Sequence, residues 1–229
     1  MAFDRIRDAA TSVAVPHQEW PAQVRRRRVI VCVVLVVGAA LMAYSLNRPP
    51  GDASFYWLAF ALASVWTLGA LLSGPLHLGS IEWGGRNQRP VITGIAVGLL
   101  VGGAFLAGGL LVRNIAPVAD RITRVLEFTN HGLALIVLIA VINGVAEELF
   151  FRGALYSALG QFHPVAISTL LYVIATSANG NPMLGFAGLV LGTVCALLRR
   201  ATGGVLAPVL AHVVWGMLMV LGLPPIFGI

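Results

Sequence analysis

Two carboxylates stand side by side in the stretch VINGVAEELFFRG, residues 141–153, where Glu147 and Glu148 end an apolar run and Arg152 follows closely. The other acids, Asp4, Asp8, Glu19, Asp52, Glu82, Asp120 and Glu127, all fall in termini or connections. A carboxylate near membrane depth costs about 2.5–3.5 kcal/mol on insertion scales, so it normally faces a bundle interior or a wet cavity. Neighbouring helical residues point about 100° apart, which gives the two glutamates different surroundings. Glu148 and Arg152, four apart, are spaced to pair on one helix face. Glu147 falls on the side of Asn143, one turn earlier, and has no cation at that spacing. A further candidate is His212 in VLAPVLAHVVWGMLMV, whose imidazole is able to move a proton or donate to a developing oxyanion. The plainer alternatives are an interfacial helix end carrying an ion pair and a histidine that only bonds across helices. Gly216, one turn beyond His212, supplies only space, and His163 in GQFHP reads as a connection residue.

These side chains need a membrane-spanning scaffold to hold them. Of 229 residues, 58% are hydrophobic and 10% charged, against about 25% charged in a usual soluble domain, and the mean hydropathy is +0.88. Several apolar runs reach or exceed ~18 residues, which points to an all-α polytopic membrane bundle. No cleavable signal peptide is evident in residues 1–24, where Asp4, Asp8 and Glu19 interrupt any targeting pattern. The net charge of +6 has its densest run at Arg25 to Arg28, directly before the first apolar segment. That is where membrane orientation needs charge, and no nucleic-acid recognition motif accompanies it. Cys32 and Cys195 both lie in apolar runs and read as small buried hydrophobes.

Seven spans are expected, near 29–46, 55–74, 91–112, 131–149, 165–180, 183–198 and 204–223, with the fifth and sixth short. Six or eight remain open. The glycines of GIAVGLLVGGAFLAGG are suited to a close helix–helix contact. Arg25 to Arg28 place the N-terminus in the cytoplasm, together with Arg86, Arg89, Arg199 and Arg200, and leave Arg113, Arg121 and Arg124 outside. The organisation expected is a cytoplasmic segment 1–28, N-terminal helices over 29–130, a core over 131–223 and a tail over 224–229. The cell membrane is the expected location and lipid an obligate partner; the oligomeric state is left open.

The run EELFFRG resembles the first motif of the CPBP (Abi) family of intramembrane CAAX-processing and bacteriocin-processing proteases, and TGGVLAPVLAHVVWG resembles its terminal stretch. The resemblance covers about residues 140–223. It implies a CAAX-protease-like helical core and hydrolysis of peptide bonds in membrane-associated or prenylated peptides. Glu147 then corresponds to the water-activating glutamate and His212 to a histidine assisting the oxyanion. Glu148 and Arg152 correspond to structural support. Members are commonly labelled metalloproteases, and a metal-free glutamate-activated water is also proposed, so the cofactor is none or zinc.

The chain departs from that pattern twice. In YVIAT, Tyr172 keeps the aromatic place of the second motif and Thr176 stands where histidine is expected; in the third motif Gly216 replaces an asparagine. Thr176, Ser177 and Asn179 are able to orient a water, with Asn143 nearby, but they form a poor zinc set. A catalytic zinc usually takes three protein ligands, and this chain offers Glu147, His212 and at best a weak third. Three functions therefore compete: a peptidase with an altered site, an inactive relative that binds or scaffolds membrane peptides, and a transporter. The last is disfavoured because no second half of similar organisation is visible. The expected geometry sets Glu147 facing His212, with Glu148 turned away toward Arg152.

Overall fold

The computed structural model describes residues 20–49, 52–128, 132–178 and 180–229. Asn179 and most of the expected segment 1–28 lie outside the described residues. Helix α1, Pro21–Leu46, opens on proline, whose missing N–H is no loss at a helix start. Helix α2, Ala53–Ser73, opens on Asp52, whose side chain accepts from the Ser54 backbone N–H at 2.8 Å. That bond holds the Asp52 carboxyl below its ordinary range. A hairpin follows, β1 Ile81–Trp83 and β2 Arg86–Gln88, turned by Gly84 and Gly85 at φ 60° and 74°. Two consecutive positive φ values are what a two-residue hairpin with a right-handed twist requires.

Helix α3, Val91–Val112, and the short α4, Ala116–Leu126, lead to α5, Leu133–Leu159. Within α5 the residues Leu149–Leu155 are π-helical, directly after the paired glutamates. Helices α6, Pro164–Ser177, α7, Pro182–Thr202, and α8, Leu206–Phe227, complete the chain. Six of these helices, α1, α2, α3, α5, α7 and α8, are long and apolar enough to cross a membrane. The expected fifth span is α6, with only 14 residues, or about 21 Å at 1.5 Å per residue.

Hydrogen bonds between connections show which ends of the helices lie together. Arg27 donates to Ser73 Oγ and to the Pro75 carbonyl, and Arg28 donates to the Ala158 carbonyl. Ser80 N–H donates to Thr202, while Val205 and Leu206 N–H donate to His77 and Leu78. The start of α1, the segment 73–80, the end of α5 and the turn before α8 therefore form one end of the bundle. At the opposite end Asn181 donates its side-chain N–H to the Arg121 carbonyl, 2.8 Å away. The chain passes from Ala158 at the first end to Asn181 at the second, so α6, despite its length, carries it between them. Against the seven spans expected, the described residues hold six helices of spanning length, and the fifth expected span is the shorter α6.

The expected glycine contact is present, between α3 and α8. A Cβ on Gly94 would stand 2.8 Å from the Ala207 carbonyl oxygen, and one on Gly98 2.7 Å from that of Ala211. Small residues allow this approach where lipid gives no hydrophobic drive for helices to associate. The core centres on Trp66 of α2, whose ring lies 4.5 Å from Phe150 and 5.2 Å from Phe151. Cys195 is buried as expected, whereas Cys32 is exposed on the outside of the bundle. An apolar run does not say which of its faces meets protein and which meets lipid.

Candidate active site

Helix α5 supplies three buried ionised-type side chains within six residues: Glu147, Glu148 and Arg152, of which the last two are fully enclosed. Arg152 Nη1 donates to Glu148 Oε1 at 2.9 Å, as the four-residue spacing predicts. Its Nη2 crosses to α7 and donates to the Gly192 carbonyl at 2.9 Å. Gly192 allows this, because a Cβ there would stand 3.2 Å from Arg152 Nη2 and 3.0 Å from the Tyr172 ring. The guanidinium also lies over the Tyr172 ring, 4.7 Å from its centroid. A second buried arginine, Arg199, donates Nε–H to the Arg152 backbone carbonyl at 2.8 Å. The π-helical turn around Arg152 leaves its backbone without ordinary i→i+4 pairing, and such turns frequently mark functional sites.

Glu147 points to α6. Tyr172 Oη donates to Glu147 Oε2 at 2.7 Å, with both side chains buried. His212 of α8 does not pair with Glu147 in the manner expected: its Nδ1 lies 2.8 Å from Glu148 Oε1. Glu148 is thus shared between Arg152 and His212 rather than turned away from the histidine. The reason is the helix crossing at Gly144, where a Cβ would stand 3.3 Å from His212 Cδ2. The glycine one turn before Glu148 leaves the imidazole room to reach that carboxylate, since a Cβ there would press on the ring. Gly144 and Gly192 escaped the sequence reading, since a buried glycine in an apolar run carries no mark of what it admits, and Arg199, read only as a cytoplasmic charge, is buried against Arg152. The RG of FFRG and the RR before TGG were visible, but not their meeting.

Glu147 and His212 nevertheless share a neighbourhood. The Tyr172 ring, whose hydroxyl binds Glu147, is 6.5 Å from the His212 ring, and Trp215 flanks His212 on the other side at 5.9 Å. Asn143 lies on α5 one turn before Glu147; its Nδ2 donates to the Ile139 carbonyl, and its buried Oδ1 has no hydrogen-bond partner among the described residues. Thr176 is placed differently from a proton acceptor. Its hydroxyl lies within bonding distance of the Tyr172 and Val173 carbonyls of its own helix, and it packs against Gly188 of α7. A Cβ at Gly216 would meet nothing within 4 Å, so the open space beside this glycine is real. His163 caps α6 with a left-handed φ of 40°, as a connection residue.

Residues 129–218 match the family Type II CAAX prenyl endopeptidase Rce1-like. The match runs from the approach to α5 into α8 and so takes in every residue of this cluster, over part of the chain. No curated protein and no solved structure matches the chain. The CAAX-protease resemblance is therefore supported over this segment, within a bundle of six long apolar helices.

The donors present do not fit a zinc ion. Among the described residues no three His, Cys, Asp or Glu side chains gather as a metal set. His212 Nδ1 is engaged with Glu148 Oε1 and Glu147 Oε2 with Tyr172, which leaves one imidazole nitrogen, the other Glu147 oxygen and the buried Glu148 Oε2, and these do not gather as a metal set. A catalytic zinc usually takes three protein ligands.

Proposed function

We propose that this chain is an intramembrane endopeptidase that hydrolyses peptide bonds of membrane-associated peptides, prenylated CAAX-type substrates among them. The single observation that carries the reading is the division of labour between the two glutamates. Glu148 neutralises Arg152 and orients His212, while Glu147, held by one Tyr172 bond, keeps an oxygen uncommitted. In this reading Glu147 takes a proton from water as the oxygen adds to the substrate carbonyl carbon. With Nδ1–H turned to Glu148, the protonated Nε2 of His212 donates to the oxyanion. The C–N bond then breaks, the Glu147 proton passes to the leaving amine, and a carboxylic acid and an amine remain. Arginine-rich connections gathered at one bundle end support a cytoplasmic N-terminus.

The departures from the family pattern favour a second reading, a catalytically inactive relative that binds membrane peptides. Thr176 spends its hydroxyl on its own helix, and Gly216 presents no donor. Loss of one oxyanion donor costs roughly 3–4 kcal/mol of transition-state stabilisation.

Purified protein incubated with prenylated and plain peptide libraries separates the two. Turnover that disappears in Glu147→Gln and falls by at least ~10²-fold in His212→Ala is expected for the peptidase. Cleavage that persists in Glu147→Gln rejects the mechanism. Silence from the parent with every substrate, followed by activity in Thr176→His, identifies an inactive relative and the group it lacks.

A further inference from the structure

A cavity of about 1150 Å3 opens at the end of the bundle that carries Asn181 and Arg121. Its walls come from α2, α3, α5, α7 and α8 and include Phe55, Phe105, Ile139, Trp215 and Met219. These walls are mainly apolar, and the volume is above the roughly 300–1,000 Å3 of ordinary small-molecule sites. The amphipathic helix α4 lies along the mouth. From it Arg121 and Arg124, both exposed, line the cavity together with Ile122 and Val125. Asp120 and Glu127 belong to the same stretch but are not among the lining residues, so the ionised groups that line the mouth are the two arginines. Asn181 pins α4 through the Arg121 carbonyl while itself capping α7 through the Met183 N–H, which fixes both arginines relative to the cavity.

We propose that this cavity is a binding site for an anionic phospholipid, with acyl chain against Phe105, Ile139 and Met219 and phosphate at Arg121 and Arg124. Three features select this occupant. The cavity lies between helices of a membrane bundle and opens at one end of it, so acyl chains surround its walls and headgroups its mouth. Its lining is apolar over a length that a compact polar ligand leaves unsatisfied. Among the described residues its ionised lining groups are two arginines, and arginine is the side chain best suited to phosphate oxygens. The site stands apart from the hydrolytic reading and does not need it, although Trp215 forms a wall common to the cavity and to His212.

The test uses full-length detergent-solubilised protein, with phosphatidylglycerol and phosphatidylcholine of identical chains titrated by native mass spectrometry. Phosphatidylglycerol should be retained the more tightly. Each arginine removed should weaken its binding by about fivefold, so that Arg121→Gln with Arg124→Gln loses the preference while the double lysine variant keeps most of it. Gly108→Trp should reduce retention of both lipids, because Gly108 lines the cavity and its Cβ position meets nothing within 4 Å. Equal retention of the two lipids by the parent overturns the proposal. So does a phosphatidylglycerol preference that survives the double glutamine variant, or lipid retention unaffected by Gly108→Trp. The readout is binding alone, and a failure here leaves the peptide-cleavage experiment untouched.

Discussion

Helices α5, α7 and α8 build two very different places within a few turns of one another. Around Glu148 every surface is closed: Glu148, Arg152, Phe150 and Phe151 are fully buried, and the guanidinium is held by two helices. Around Met219 and Ile139 the same helices stand apart and leave an open apolar cavity. The difference follows from what the bilayer can and cannot supply. Lipid offers no partner to a carboxylate or guanidinium, so protein supplies partners to Glu148 Oε1 and to both terminal nitrogens of Arg152, while Glu148 Oε2 and Arg152 Nε have none among the described residues. Lipid does offer dispersion contacts to an apolar wall, so a gap there costs far less than a gap in a soluble core. Tight packing is therefore spent where charge is buried.

The contrast is broken most severely by removing one member of the charged cluster. Arg152→Ala leaves the buried Glu148 with His212 as its remaining partner, without its cation, and removes the arginine donor of the Gly192 carbonyl. A destabilisation of about 3–5 kcal/mol is expected, as for other buried pairs stripped of one partner. Thermal melts in detergent should show a large drop for Arg152→Ala and little change for Glu147→Gln. If both variants melted with the parent, the cluster would have no structural role.

A smaller effect sharpens the comparison directly. Leu191, 1% exposed in the closed part of α7, and Met219, 8% exposed at the cavity, are both buried apolar side chains. Leu191→Ala should cost about 2–5 kcal/mol, the usual range for a core truncation. Met219→Ala should cost less than half as much in lipid nanodiscs, where acyl chains refill the space. Similar melting shifts for the two would mean that the cavity is as dry and rigid as the core.

The Tyr172 hydroxyl lies between these extremes. Tyr172→Phe keeps the ring against Phe151, 4.9 Å away, and removes only the bond to Glu147. Loss of one hydrogen bond to a charged group corresponds to about 1.5–3 kcal/mol. For a peptidase this should appear in kcat more than in KM, and no change in either would detach Tyr172 from the site. The mildest change is Asp52→Ala at the start of α2, outside the charged cluster and not itself a wall of the cavity. The Asp52 carboxyl is held below its ordinary range in the folded protein, so its contribution is present above the unfolded-state pKa and lost as pH falls through the folded one. The parent should therefore melt slightly above the variant at neutral pH, with the gap closing in acid. A gap independent of pH would assign the effect to helix propensity instead.

Much of this protein is set by local chemistry that a linear reading reaches. The long apolar runs specify membrane helices because an unpaired backbone group in lipid is too costly for any other open form. The four-residue spacing of Glu148 and Arg152 specifies their pairing, and the glycines of α3 specify a close contact, though not that α8 would be the partner. The exposed Cys32 and the 14-residue α6 mark the limit of that reading, since hydropathy reports composition and not which face or length meets lipid. The choice of glutamate for His212 was decided by tertiary structure alone. It depends on how closely α5 and α8 approach at Gly144, a distance set by packing across 64 residues of sequence. The same holds for the cavity at Arg121 and Arg124, because a space between helices is a property of their crossing and of no single segment.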